Sequence, residues 1–579
     1  MVAFTWRSPT AATHVVNAGP LALIEPLLER LDIDRIIDRH LPPDPQREYS
    51  HGQVLRVLLA ARLCQPTALV NVAAWAEKSG ADIFANIPVD KLNDDRLGRA
   101  LDAFFDQRHS ILGSVTAQAV QLTGLSLDRL HFDPTAILLC GAYDASQPRP
   151  AWPADAPFRG DRLLPPAHLG HGYSADANMC QFGQLAIVDD QGALPVLGHC
   201  LDGNRNGHPA IRETFQLAQR HLALPSDLLL ISDRGTCSVE HLARLHRLGY
   251  TALCSAQWQD YRAIFEANRD RLHWQRASFL SVEQRRRRDS QSALPKEHYE
   301  LAVLRHTLRD PTDGRHIPAR LIFVYSTADA DADAARRRRR RNIAKIQAGL
   351  TALQTKLQRG HPQCTLASIT RQAVRLLGQR GAARYFTWQL TPLTATEQAA
   401  LPAPARGHRR PTHRLAFTFD AVAATADEAH DGLAVLLTTA ALTLSADLLF
   451  GRFKEQNYVE LLHHQWKTPL AVSPVFLKSP RRVEALVCLL QIALQLYQVL
   501  ERLYRQSVPS DAPLAEQRLT TERLLRHFGV YGLLLTRGPC GRVVQTTRLT
   551  SRQREILQRL HFPTPEQQLS RILQPEPSG

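Results

Sequence analysis

The stretch DLLLISDRGTCS (227–238) carries an apolar run, Leu228-Leu229-Leu230-Ile231, into Asp233, after which Arg234-Gly235 turns the chain toward a helical pattern. A carboxylate at the end of such a strand has two readings. It can cap the next helix by accepting from orphan backbone N–H groups, or it can be aimed at a cation. Asp133 stands within DRLHFDPTAILL (128–139), which also reads as a strand. Glu460 lies in FKEQNYVELLHHQWK (453–467), where Phe453, Gln456, Glu460 and Lys467 recur at i, i+3, i+7 and i+14 and so share one helical face. Alone, that stripe reads as a surface pattern. Together, two strand carboxylates and one helical carboxylate are what a pair of Mg²⁺ ions needs, since magnesium takes oxygen ligands in octahedral geometry and keeps several waters. Two such ions, roughly 3.5–4 Å apart, clamp the attacking and leaving oxygens of an in-line phosphoryl displacement. On this reading Asp133, Asp233 and Glu460 are both the metal ligands and the catalytic set, and divalent charge offsets the cost of burying Asp233.

Charge points to the class of partner. Lys and Arg number 70 against 55 Asp and Glu, a formal net charge of +15 on 579 residues, with a pI near 9.7. So basic a chain expects a polyanion, either nucleic acid or an anionic membrane. The start MVAFTWRSPTAATHVV has no charged n-region or apolar core of a signal peptide. The most apolar stretch, VEALVCLLQIALQLYQVL (483–500), is interrupted by Glu484, Gln491 and Gln495 and reads as a core helix rather than a span. Nucleic acid is the expectation, with no membrane. Nine scattered cysteines, an odd number without any C-x-x-C, support neither a disulfide framework nor a zinc knuckle and fit a reduced, cytoplasmic protein. His463 and His464 are adjacent, so on a helix they point about 100° apart and are poor joint ligands.

The elements that must position these groups follow from periodicity. Residues 1–124 read as a helical N-terminal DNA-binding domain, on patterns such as GPLALIEPLLERLDIDRIIDRHL. From 125 to 257 come a strand, a hairpin over 181–201 turning at Asp189-Asp190-Gln191-Gly192, the strand ending at Asp233, a helix over 237–248 and a strand over 250–256. Three strands followed by strand–helix–strand is the order of a ribonuclease H-like sheet. Residues 258–415 read as a basic insertion of strands plus a helical segment, with arginine runs at 285–288 and 336–341. Ile343, Ile346, Leu350, Leu353 and Leu357 form one helical stripe after the second run, so Arg336, Arg337 and Arg338 open an amphipathic helix. Each run is either a solvated face or a phosphate contact. HRLAFTFDAVA and HDGLAVLLTTAALTLS then return to strand-like character, as though the sheet resumed over 416–505 with the Glu460 helix, and 506–579 reads as a helical tail. The expected fold is therefore α/β: a ribonuclease H-like mixed sheet flanked by helices, interrupted by a large insertion, with an additional helical N-terminal domain.

The motifs, taken in order over about 18–505, resemble the DDE transposases of bacterial insertion sequences. HFDPTAI is similar to the first-Asp strand of that group, HGYSADANMCQFGQLAI and LDGNRNGH to the hairpin region, SDRGTCS to the second Asp, and HDGLAVLLTT to the last strand. WKTPLAVSPVFLKSPRRVEAL is similar to the segment after the Glu. The family's Tyr-x2-Arg-x3-Glu-x6-Lys helix stands here as Phe453-x2-Gln456-x3-Glu460-x6-Lys467, so Glu and Lys match while Tyr and Arg do not. The resemblance implies Mg²⁺-dependent cleavage at the element's ends and strand transfer into target DNA, by two ions for which Mn²⁺ can substitute. It implies ligation by Asp133, Asp233 and Glu460, and DNA contacts from Lys467, Gln456, Phe453 and Arg234. Trp388, in RYFTWQL, is the candidate for holding a flipped base, against the competing reading of a core Trp. Implied partners are the terminal inverted repeats, target DNA and a second copy in a synaptic homodimer, with a nucleoid-associated cytoplasmic location. Two alternatives stand beside it. A host-recruited, non-cleaving DNA-binding protein needs a lost ligand, and none is evident. A phosphatase with an Asp nucleophile needs a second Asp two residues on, which HFDPT lacks.

Overall fold

The computed structural model describes residues 13–141, 143, 146, 164–171, 178–203, 207–233, 238–280, 282–289, 297–360, 365–378, 381–404, 406–538 and 541–572. A ten-stranded mixed sheet organises them. In chain order its strands are β1 (Arg129–Leu139), β2 (Gly170–His171), β3 (Asn178–Asp189), β4 (Gly192–Leu201), β5 (Leu229–Ser232), β6 (Thr251–Ser255), β7 (Gln275–Arg276), β8 (Tyr299–Arg309), β9 (His316–Ser326) and β10 (Leu433–Thr438). Their order across the sheet is β2-β3-β1-β5-β6-β10-β9-β8-β7, with β4 also paired to β3. β1, β5 and β6 run parallel, and the pairs β1–β3, β3–β4 and β6–β10 are antiparallel. The β3–β4 hairpin forms as its sequence predicts, with Gly192 at φ 134° and the Asp189 carboxylate accepting from the Gln191 N–H 3.0 Å away. β5 is buried on both faces, as a continuous apolar run in a parallel sheet should be.

Helices cover both faces. On one lie α1 (Gly207–His221) and α2 (Val239–Arg247), sharing a core with Leu130, Phe132 and Leu230. On the other lie α3 (Gln456–Lys467) and α4 (Pro480–Ser507), packed with Ile137, Cys180, Phe182 and Cys200. The N-terminal helices belong to that second core: Leu23, Leu58, Leu101 and Leu112 join the same buried cluster as Trp466 and Leu490. Among the described residues α4 is the one helix that by itself is long and apolar enough to cross a membrane, and all of its apolar stretch is buried within the fold.

Four details differ from the sequence expectation. β8 and β9, inside the segment read as an insertion, extend the central sheet through β10, so the excursion from the sheet runs only from the end of β9 to the start of β10. Of the two strand-like segments expected to resume the sheet, only Leu433–Thr438 does so. His413–Phe419 pairs instead with Phe386–Pro392 in a separate two-stranded sheet, where its single apolar face, through Leu415, packs on the Ile346–Leu357 stripe. The tail read as helical also contains a hairpin, Leu533–Gly538 with Gly541–Thr546, which pairs with Thr13–Val16 near the chain's other end. Finally, the helix read over 453–467 is two helices, Ala446–Lys454 and α3, broken at Glu455.

Candidate functional site

Phe132 of β1 is in parallel register with Ser232 of β5. Asp133 and Asp233 are therefore the next residues along two neighbouring strands, and they point to the same side of the sheet. Asp233 is not a helix cap, because Ser238 caps α2 by accepting from the His241 N–H. It is exposed, contrary to the expectation of a buried carboxylate, and it accepts a 3.0 Å hydrogen bond from the Ser255 hydroxyl at the end of β6. The cost of burial falls on Asp133 instead.

α3 packs across β1, β3 and β4 and brings Glu460 and Lys467, seven residues apart on one helical face, toward the same corner. Burial pushes the Asp133 carboxyl up from 3.8, the charges of Asp233 and Glu460 push it further, and Lys467 pulls it back, leaving it at about 7. Burial also lowers Lys467 below its usual value, against the pull of Asp133. Two carboxylates, one from a strand end and one from a helix, thus act on the Asp133 carboxyl, with the half-buried Lys467 ammonium opposing them. In these positions no three His, Cys, Asp or Glu side chains among the described residues close around one common point.

His463, like Ser255, stands beside these carboxylates although the sequence pattern did not single it out. Its Nδ1 lies 3.4 Å from Asp133 Oδ2, and burial followed by the Lys467 charge drops its pKa to about 3, so it is neutral. Helical spacing held the clue, since His463 is three residues after Glu460 and four before Lys467. Gln456 is turned to structural use: its Nε2 donates to the Phe132 carbonyl at 3.3 Å, and its Oε1 accepts from His131 Nδ1 at 2.8 Å. That pins the first turn of α3 to β1. Phe453 precedes the break and packs beside Phe450 and Tyr299 at the far part of the sheet.

The remaining sequence candidates lie elsewhere. Arg234 falls outside the described residues. Trp388 pairs across strands with Phe417 and is half-buried against the core of the excursion between β9 and β10. Arg336, Arg337 and Arg338 lie on the helix Asp329–Arg359. Arg336 pairs with Asp333 at 2.9 Å, while Arg337 and Arg338 are exposed.

The sequence pattern of a domain of unknown function (DUF4277) matches residues 13–115. No curated protein matches. Among solved structures, a piggyBac transposase in a synaptic complex with hairpin DNA aligns with 97% of this chain and 87% of its own, at 10% identity and a TM-score of 0.35.

Proposed function

We propose that this protein is a DDE transposase, which cleaves DNA at the ends of an insertion sequence and transfers the freed strand into target DNA. Its core on this proposal is ribonuclease H-like: β1, β3, β4, β5 and β6 carry the strand order and directions expected of that sheet. The observation that carries the reading is the convergence of Asp233 and Glu460 on Asp133, whose carboxyl is pushed to about 7 by burial first and then by the charges of those two. A fold gains nothing from facing carboxylates, whereas perturbed groups of this kind cluster at working sites.

The donor set fits a hard divalent cation: it is all carboxylate oxygen, and its negative charge exceeds the one ammonium beside it. Asp133, Asp233 and Glu460 would hold two Mg²⁺ ions, or Mn²⁺ in their place, and the bound ions would supply positive charge to the attacking and leaving oxygens. The chain's own groups do the rest. Lys467 meets a phosphate oxygen next to the scissile bond, about 10 Å along the helix from Glu460. Ser255 orients Asp233 through its hydroxyl. His463, neutral, holds the inner side of Asp133 without adding charge. The net charge of +15 supports a DNA partner, and the synapsis of two ends calls for a second copy of the chain, in the cytoplasm at the nucleoid.

The test uses purified full-length protein and DNA spanning the regions that flank its reading frame. Strand breaks at the borders of inverted repeats, in Mg²⁺ and not in EDTA, are the expected result. Tight binding to those borders without breaks in Mg²⁺ or Mn²⁺ would overturn the catalytic reading and leave a DNA-binding protein.

A further inference from the structure

Directly across β3 from Asp133 sits Gln184, and directly across from Gln184 on β4 sits Gly198. Paired residues in antiparallel strands share a face, so the three form one row under α3 and α4. Gln184 is fully buried, and among the described residues neither its Oε1 nor its Nε2 has a hydrogen-bond partner in the protein. The space over Gly198 is shared by the Phe182 ring, whose Cε1 a Cβ there would meet at 2.0 Å, and by Gln491 of α4, whose Oε1 would lie 2.7 Å away. Gln491 is also fully buried, and both of its amide atoms are likewise unpartnered. At the other end of the row, the Nε2 of His463 has no partner either.

The rest of α4 behaves differently. Each of its other buried polar side chains makes a bond within the protein: Glu484 with Arg108, Gln495 with Thr116, Gln498 with Gln465, Glu501 with the Thr521 N–H and Arg502 with Asp189. Gln491 alone makes none, and it stands at the one point where α4 crosses the row that leads to Asp133. An amide buried without a bond is a net cost to folding, one that leucine would remove. Buried polar atoms of this kind are joined by ordered water, which needs two to four such partners. Gln184, Gln491 and His463 supply five atoms along one row.

We propose that Gln184 and Gln491 hold buried water against the inner side of Asp133, and that Gln184 is a positioning residue for that carboxylate. The inference rests on the reading of Asp133 as a catalytic ligand. Groups behind a ligating carboxylate fix its rotamer, and their loss weakens metal binding without touching the metal.

The test compares full-length wild type with Gln184→Leu, Gln491→Leu and the double variant, by thermal unfolding in EDTA and by Mn²⁺ binding followed through the electron spin resonance of the free ion. Leucine fills a similar volume and removes the amide. The double variant should therefore melt at or above the wild-type temperature yet bind Mn²⁺ about tenfold more weakly. Unchanged Mn²⁺ affinity in the double variant would overturn the proposal. So would a lower melting temperature, which would mark the amides as bonded parts of the fold. Asp133→Asn serves as the control: if it leaves Mn²⁺ binding as in wild type, the catalytic reading itself fails, and this inference falls with it.

Discussion

At the foot of the excursion between β9 and β10, Asp427, Glu428 and Asp431 are met by cations, whereas the half-buried Asp133 is met by the charges of two further carboxylates, Asp233 and Glu460, with Lys467 opposing them. Asp427 takes hydrogen bonds from the Tyr385 hydroxyl at 2.6 Å and from Arg384, and it pairs with Arg262 at 2.5 Å. Arg339 bonds to Asp431 and lies near Glu428. Burial raises the Asp427 carboxyl, but the bonds from Tyr385 and Arg384 and the charges of Arg384 and Arg262 outweigh it and hold it below the ordinary value. At Asp133 burial and the charges of Asp233 and Glu460 act in the same direction, upward, against the pull of Lys467. The difference separates two uses of acid. Compensated carboxylates bind the excursion to the sheet, and a carboxyl raised as Asp133 is is a cost that the fold does not require.

That contrast breaks most sharply under isosteric substitution. Asp133→Asn, Asp233→Asn and Glu460→Gln should each lower Mg²⁺-dependent strand cleavage by roughly a thousandfold or more, about 4 kcal/mol in the barrier, with DNA binding kept. Asp427→Asn, measured per folded molecule, should cleave as wild type does. A triad variant with near wild-type cleavage would remove that residue from the set. Stability should show the opposite ranking. Asp427→Ala strands Arg262, Arg384 and the Tyr385 hydroxyl without their acceptor and should cost roughly 2–4 kcal/mol in urea unfolding. No triad substitution should cost as much.

The third expectation is a gain. In apo protein the folded state holds a proton on Asp133 up to about pH 7, while the unfolded chain releases it near 3.8. A raised folded pKa contributes stability that is fully present below about 3.8 and is lost as pH rises through about 7. Asp133→Asn abolishes that loss. In EDTA its advantage over wild type should widen across this window and then level off, on the order of 2 kcal/mol after allowing for screening at a partly exposed side chain. An advantage that does not grow between pH 4 and pH 7, approximately the range set by those two values, would mean that burial and its charged neighbours do not hold the proton on Asp133.

How much of this was legible depended on whether the signal was local. The strands bearing Asp133 and Asp233, the 181–201 hairpin, the Ile346–Leu357 stripe and the core helix at 483–500 are all written in period 2 or 3.6, and all form. Pairing between distant segments is not written there. Arginine runs drew a boundary at 258, yet β8 and β9 cross it to join the sheet. The Leu533–Gly538 hairpin depends on Thr13–Val16, over five hundred residues away in the sequence. Just after the break at Glu455 the side chain of Gln456 reaches β1, a contact that no helical wheel contains. The same holds at the corner of the sheet, where the place of Gln184 is fixed by register with Asp133 rather than by any neighbour in sequence.

The smallest expected effect divides the second arginine run itself. Arg336 and Arg339 are half-buried and tied to Asp333, Glu428 and Asp431, so they belong with the compensated cluster. Arg337, Arg338, Arg340 and Arg341 are exposed on the same helix, and their charge is available to a phosphate. Removing one arginine–phosphate pairing should flatten the dependence of log affinity on log salt by about 0.9, which is roughly a threefold change in affinity between 50 and 200 mM salt. Arg337→Gln with Arg341→Gln, one helical turn apart, should therefore reduce the slope while leaving urea unfolding unchanged. Arg339→Gln should do the reverse, lowering stability with the slope kept. Fluorescence anisotropy of a labelled duplex over a salt series measures the first quantity, and circular dichroism the second. If the exposed pair leaves the slope untouched, the run is a solvated face, and the polyanion contact implied by the net charge of +15 lies on another surface of the chain.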